Sequence, residues 1–135
     1  MPDESTPTTR LIVIERTPWF SSGLRREWKG LPHTVLFRDR YDPQDFSADH
    51  RRQSVLVDLD TLPGEGLKAI DRLTNSRRMP VDFLVVVLNS GQRNRAAELL
   101  SLGVVCYFVK PVPVFEVARS CQRLLESEES SVGEH

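Results

Sequence analysis

Five short apolar runs recur along the chain: Leu11–Ile14, Thr34–Phe37, Val55–Val57, Phe83–Leu88 and Val105–Val109. They are rich in Val, Ile and Leu and show little alternation of apolar and polar residues. That pattern suits strands buried on both faces, as in a parallel sheet, better than strands with one wet face. Amphipathic segments follow each run. Pro18 opens the first, a position where its missing N–H costs nothing, and Phe20, Leu24 and Trp28 recur at helical spacing. Pro43–Arg51 is a weak second helix, and Leu67, Ile70 and Leu73 mark a third. Ala96, Leu99 and Leu100 mark a fourth that Gly103 terminates. Val114, Val117, Ala118, Cys121, Leu124 and Leu125 form the clearest stripe, a fifth helix. Strict alternation of strand and helix predicts a doubly wound α/β domain.

The 135 residues are enough for one such domain and too few for two. The polar ends, residues 1–9 and 127–135, read as disordered tails around a domain at 10–126. A net charge of −1 argues against a general nucleic-acid binder, because the basic pairs Arg25-Arg26, Arg51-Arg52 and Arg77-Arg78 are scattered among acids. No apolar run approaches the length of a membrane span, and the polar start lacks the apolar region of a signal peptide. Two cysteines in apolar stretches, Cys106 and Cys121, fit buried free thiols in a reducing cytoplasm.

In doubly wound sheets the working crevice lies beyond the carboxyl ends of the strands. Glu15 and Arg16 follow the first run, Asp58 ends the third and Lys110 ends the fifth, so these four converge there. An aspartate carboxylate is a competent phosphoryl nucleophile, and a lysine supplies a point charge for a phosphate oxygen. Asp60 reads as a turn residue ahead of Pro63-Gly64, with its side chain directed away. Trp19 and Trp28 read as packing residues. His33 and His50 are too isolated for catalysis, and His135 lies in the tail.

The segments Asp58-Leu-Asp-Thr-Leu-Pro-Gly-Glu-Gly66-Leu67 and Gly103-Val-Val-Cys-Tyr107-Phe-Val-Lys110-Pro111 resemble the receiver domain of two-component response regulators. The resemblance covers residues 10–126. It implies a flavodoxin-like five-stranded parallel sheet of order 2-1-3-4-5. It makes Asp58 the phosphoacceptor, Lys110 the phosphate-binding residue, Tyr107 the switch aromatic and Lys110-Pro111 a cis site. The hydroxyl switch position falls on Leu88 by an ungapped count, on Asn89 with one deletion, and on Ser90 only with a further shift. Such a chain is a signalling module rather than an enzyme. Its implied partners are a histidine kinase or phosphotransfer protein, and a second copy or output module docked on the face of the fourth helix, fifth strand and fifth helix. Gln92, Arg95, Glu98, Tyr107 and Glu116 belong to that face. A stand-alone module and an excised domain remain equally open.

The metal position departs from the family. Where an acidic pair is usual, this chain has Glu15-Arg16. Mg²⁺ would be left with Glu15 and Asp58. An Arg16 charge held about 5 Å from the ion would cost roughly 7 kcal/mol at an effective dielectric near 20, a ceiling if the side chain can swing out. Two mechanisms follow: weak, conventional Mg²⁺-dependent phosphorylation of Asp58, or an interaction module that acts without phosphorylation because Arg16 stands in for the metal. The charge count favours the second. A flavodoxin-like redox protein is the remote alternative, since Pro18, Trp19 and Phe20 interrupt the phosphate loop it would need. A P-loop NTPase is excluded, because no G-x-x-x-x-G-K-[ST] occurs.

Overall fold

A computed structural model describes residues 9–27, 34–46, 52–75 and 81–134. Five strands form one parallel sheet: β1 (Thr9–Ile14), β2 (Thr34–Arg38), β3 (Arg52–Asp58), β4 (Val81–Leu88) and β5 (Cys106–Val109). Their order across the sheet is β2-β1-β3-β4-β5, as the resemblance implies. Among the described residues four α-helices accompany them: α1 (Trp19–Glu27), α2 (Pro63–Asn75), α3 (Ala96–Leu102) and α4 (Val114–Glu134). Among the described residues no helix is long and apolar enough to cross a membrane.

The unbroken apolar runs are explained by burial on both faces. Odd and even residues of each strand enter different cores, because successive side chains point to opposite sides of the sheet. Leu11, Val13, Leu56, Val85 and Val87 pack with Phe20 of α1 and with Val117, Ala118, Cys121 and Leu125 of α4. Ile12, Ile14, Val55, Val57, Val86 and Leu88 pack on the other side with Ile70 and Leu73 of α2 and Ala96 and Leu99 of α3. Pairing of β3 with β4 carries Asp58 opposite Val87, at the carboxyl edge of the sheet.

Several boundaries differ from expectation. The described start of the second segment, Pro43–Phe46, is a 3-10 turn, and residues 47–51 of the expected helix lie outside the described residues. Local polar bonds compete with helix there: the Asp42 carboxylate accepts the Gln44 N–H at 2.9 Å. The Asp45 carboxylate is drawn back to β2, where both oxygens accept from the Arg38 guanidinium at 3.0–3.2 Å. A 3-10 turn, Ser90–Arg95, precedes α3. Gly103 ends α3 with a left-handed φ of 117°, and its N–H donates to the Leu100 carbonyl, the cap foreseen from sequence. β5 begins one residue late because Val105 leads into it from an exposed position. α4 continues past the expected end at residue 126, to Glu134. Trp28, His33, His50 and His135 lie outside the described residues.

In the α1/α4 layer, Gly23 of α1 lies close against Val114 of α4. A Cβ there would stand 2.8 Å from both Cβ and Cγ1 of Val114. Gly23→Ala should therefore destabilise the fold by about 1–2 kcal/mol, overpacking outweighing the gain in helix propensity. Urea unfolding of the variant checks this, and Gly23→Ala combined with Val114→Ala should recover most of the loss.

Candidate functional site

The carboxyl edge of the sheet brings together Glu15, Asp58, Asp60, Asn89 and Lys110. Asp58 is the last residue of β3 and is fully buried. Its Oδ1 accepts the Asp60 N–H at 3.0 Å, and its Oδ2 accepts from Lys110 Nζ at 3.1 Å. Lys110 leaves the end of β5, with its backbone N–H on the Leu88 carbonyl at 2.7 Å and a cis bond to Pro111. Its ammonium also donates to Asp60 Oδ2 at 2.9 Å. It lies 4.2 Å from the centroid of the Trp19 ring.

Asp60 is thus a member of the site, against its sequence reading as a turn residue pointing elsewhere. The turn after β3 places it beside Lys110, and Asn89 fixes its other oxygen, Nδ2 to Oδ1 at 2.9 Å. Asn89 in turn is tied by Gln92, whose Oε1 accepts the Asn89 N–H and whose Nε2 donates to the Leu59 carbonyl, both at 2.9 Å. Gln92 therefore turns inward rather than offering its amide on the outer face. Arg95, Glu98 and Glu116 are exposed and Tyr107 is half-buried. The Asp58–Lys110–Asp60–Asn89 network closes the pocket with charge-assisted hydrogen bonds.

Burial pushes the Asp58 carboxyl above its ordinary value, while the Lys110 hydrogen bond and charge pull against that rise. Asp60, partly open to solvent, is held below the usual value by the Asn89 hydrogen bond and then by Lys110. The two acids thus divide the work. Asp60 is the acid better suited to stay ionised, and Asp58 is the one that burial strains.

Glu15 is also buried, but its carboxylate turns to α1. Oε1 accepts the Phe20 N–H and Oε2 the Ser21 N–H, each at 2.8 Å. These are unpaired amides of a helix start, where a carboxylate also meets the positive end of the helix dipole. Arg16 corrects the sequence-based picture more sharply. It does not enter the pocket: its guanidinium pairs with exposed Glu65 of α2 at 2.7 Å, and its backbone N–H donates to Thr61 Oγ1 at 3.0 Å. The reason is desolvation, since a cation inside would lose water where Lys110 already serves both acids. Arg16 is therefore not the metal's substitute.

Magnesium requires several oxygens free to turn onto one point in near-octahedral array. Both Glu15 oxygens hold α1 amides, and the two Asp58 oxygens hold the Asp60 N–H and the Lys110 ammonium. Among the described residues no three acidic, His or Cys side chains converge on a common point. As arranged here, the Glu15 and Asp58 carboxylates turn to different partners and do not form a shared ligand set for Mg²⁺.

Sequence reasoning missed Asp60 and Trp19. The signal for Asp60 was its second negative charge two residues from Asp58, facing the lysine-bearing strand end. Nothing in the sequence distinguished Trp19 from an ordinary packing aromatic. The geometry yields a test. Lys110→Met should cost about 3–5 kcal/mol, because it leaves Asp58 charged and buried without a counter-ion, its Oδ1 still held by the Asp60 N–H. With its folded pKa raised further, Asp58 then penalises folding most at neutral pH. The loss should shrink as pH falls and Asp58 takes up its proton. Chemical denaturation across pH checks this, and adding Asp58→Asn should restore most of the stability.

No protein-family model matches the sequence, and no curated protein matches it significantly. Solved structures do match. The receiver domain of TorR, the TMAO respiratory system response regulator, aligns over 88% of this chain and 98% of its own with 20% identity and a TM-score of 0.66. The signal receiver domain of a LuxO repressor protein from Vibrio parahaemolyticus aligns over 94% and 98%, with 17% identity and a TM-score of 0.70. A streptococcal redox sensor, of a family evolved from two-component response regulators, aligns over 94% of this chain and 55% of its own, at 12% identity and a TM-score of 0.71. The fold of this chain is that of the response regulator receiver domain.

Proposed function

We propose that this chain is an atypical receiver module of two-component signalling, working by protein–protein contact without Mg²⁺ and without obligatory phosphorylation of Asp58. The observation that carries this reading is the closed state of the acid cluster. Glu15 caps α1, and Lys110 bridges Asp58 and Asp60, cancelling one of their two negative charges. Phosphoryl transfer to a carboxylate depends on charge neutralisation of the incoming group, usually by a metal ion. Here the carboxylate is fully buried and its two oxygens are engaged. The proposed site roles follow from this. Asp58 and Lys110 form the pivot, Asn89 holds the loop that would carry a hydroxyl switch, and Tyr107 lies half-buried on β5 toward the partner face.

The partner face is the surface of α3, β5 and α4. Exposed Arg95, Glu98 and Glu116 provide charge there, and exposed Leu100 and Phe115 provide apolar area. A second copy or an output module is the proposed partner, with a histidine kinase upstream in a cytoplasmic system. The free thiols Cys106 and Cys121 suit such a reducing compartment.

The conventional reading, Mg²⁺-dependent phosphorylation of Asp58 by a kinase, is favoured by one observation: the Asp58 carboxylate and Lys110 ammonium stand 3.1 Å apart at the carboxyl ends of β3 and β5, across β4. A flavodoxin-like redox role is disfavoured because the α1 amides that would cradle a phosphate are taken by Glu15. Incubation with acetyl phosphate, with and without Mg²⁺, separates the first two. Intact mass should show no stable phosphoryl adduct in either case. A metal-dependent adduct that disappears in Asp58→Ala would establish the conventional reading instead.

A further inference from the structure

The geometry points to Glu15 and Trp19 as positioning residues that hold Lys110 on its two carboxylates. This rests on the metal-free reading above and explains what keeps the network closed in place of an ion. The chain of contacts starts at Glu15, whose carboxylate fixes the Phe20 and Ser21 N–H groups at 2.8 Å. Those amides belong to the first turn of α1, so the adjoining Trp19 is fixed with them. Phe20 is fully buried and holds the turn from the other side, its ring 6.1 Å from that of Trp19. Trp19 then presents its ring to Lys110 Nζ at 4.2 Å, within the range of a cation–π contact.

The ammonium consequently has three anchors: the ring, Asp58 Oδ2 at 3.1 Å and Asp60 Oδ2 at 2.9 Å. Beside it lies a cleft of about 580 Å³ lined by Trp19, Asn89, Ser90, Lys110 and the Pro111–Pro113 segment. Lys110 would swing into this cleft if it left the carboxylates, and the Trp19 ring is the wall that opposes that swing. An acid at position 15 therefore acts on the lysine through a helix start and an aromatic ring. It needs no cation between them.

Lysine accessibility reads this directly. A short pulse of acetic anhydride, followed by peptide mass spectrometry, gives Lys110 labelling relative to exposed Lys68. Trp19→Leu should raise that ratio about fivefold, and Trp19→Phe, which keeps a ring, should stay within about twofold of wild type. Glu15→Gln, which cannot accept both amides equally as a carboxylate does, should raise it as well. Trp19→Met replaces Trp19→Leu should the latter fail to fold. Equal labelling in wild type and the ring-less variant, or in the Phe and ring-less variants, would overturn the role of Trp19. An unchanged ratio in Glu15→Gln would overturn that of Glu15. A metal-dependent phosphoryl adduct on wild-type Asp58 would sink the metal-free reading, yet it would leave this labelling contrast intact, so the two failures are distinguishable.

Discussion

The ammonium of Lys110 against the buried Asp58 carboxylate is the contact on which the carboxyl edge of this molecule depends. A carboxylate with no solvent exposure is costly unless paired and hydrogen-bonded. Lys110 reaches it only because β5 runs parallel to β4 at the sheet edge, and Asp58 sits opposite Val87 of β4. The rest of the site is arranged around that pair. Asp60 shares the lysine, Asn89 fixes Asp60, and Gln92 fixes Asn89 while joining the loop back to Leu59. The loops after β3, β4 and β5 are thereby fastened to one another.

Such a network is stiff for an electrostatic reason. Its polar groups are shared between elements, and removing Lys110 leaves the fully buried Asp58 carboxylate without its counter-ion. The pair has opposite tendencies built in, since burial raises Asp58 while hydrogen bonds lower Asp60. Charge on Asp60 is what makes charge on Asp58 less necessary to Lys110. This division gives the site one acid for holding the lysine and one that is held in reserve by burial.

The fold was legible because its pattern is global: five apolar runs without alternation are hard to bury except in a parallel sheet covered on both sides. Gly103 and the α4 stripe were legible for local reasons instead. The start of the second segment, Pro43–Phe46, was not, because Asp42 and Asp45 draw backbone and Arg38 into bonds that compete with helix. Within the site, residue types at strand ends located Glu15, Asp58 and Lys110, but not where their side chains turn. Arg16 illustrates the limit. Its position beside Glu15 suggested a cation in the pocket, whereas Glu65, nearly fifty residues away in sequence, offers it an exposed partner. Trp19 shows the converse, since an aromatic that reads as filler becomes a wall of the site once β5 brings Lys110 to its face.

The capping of α1 by Glu15 has a consequence for how such a chain could change over time. In an ordinary acidic pocket, one substitution at the position of Arg16 would complete a cation-binding pair. Here the neighbouring acid is already committed to two amides, and its release would unfasten the first turn of α1. A carboxylate at position 16 would therefore gain Glu15 as a companion only if another group took over the cap of that helix. The start of α1 and this corner of the pocket can change only together.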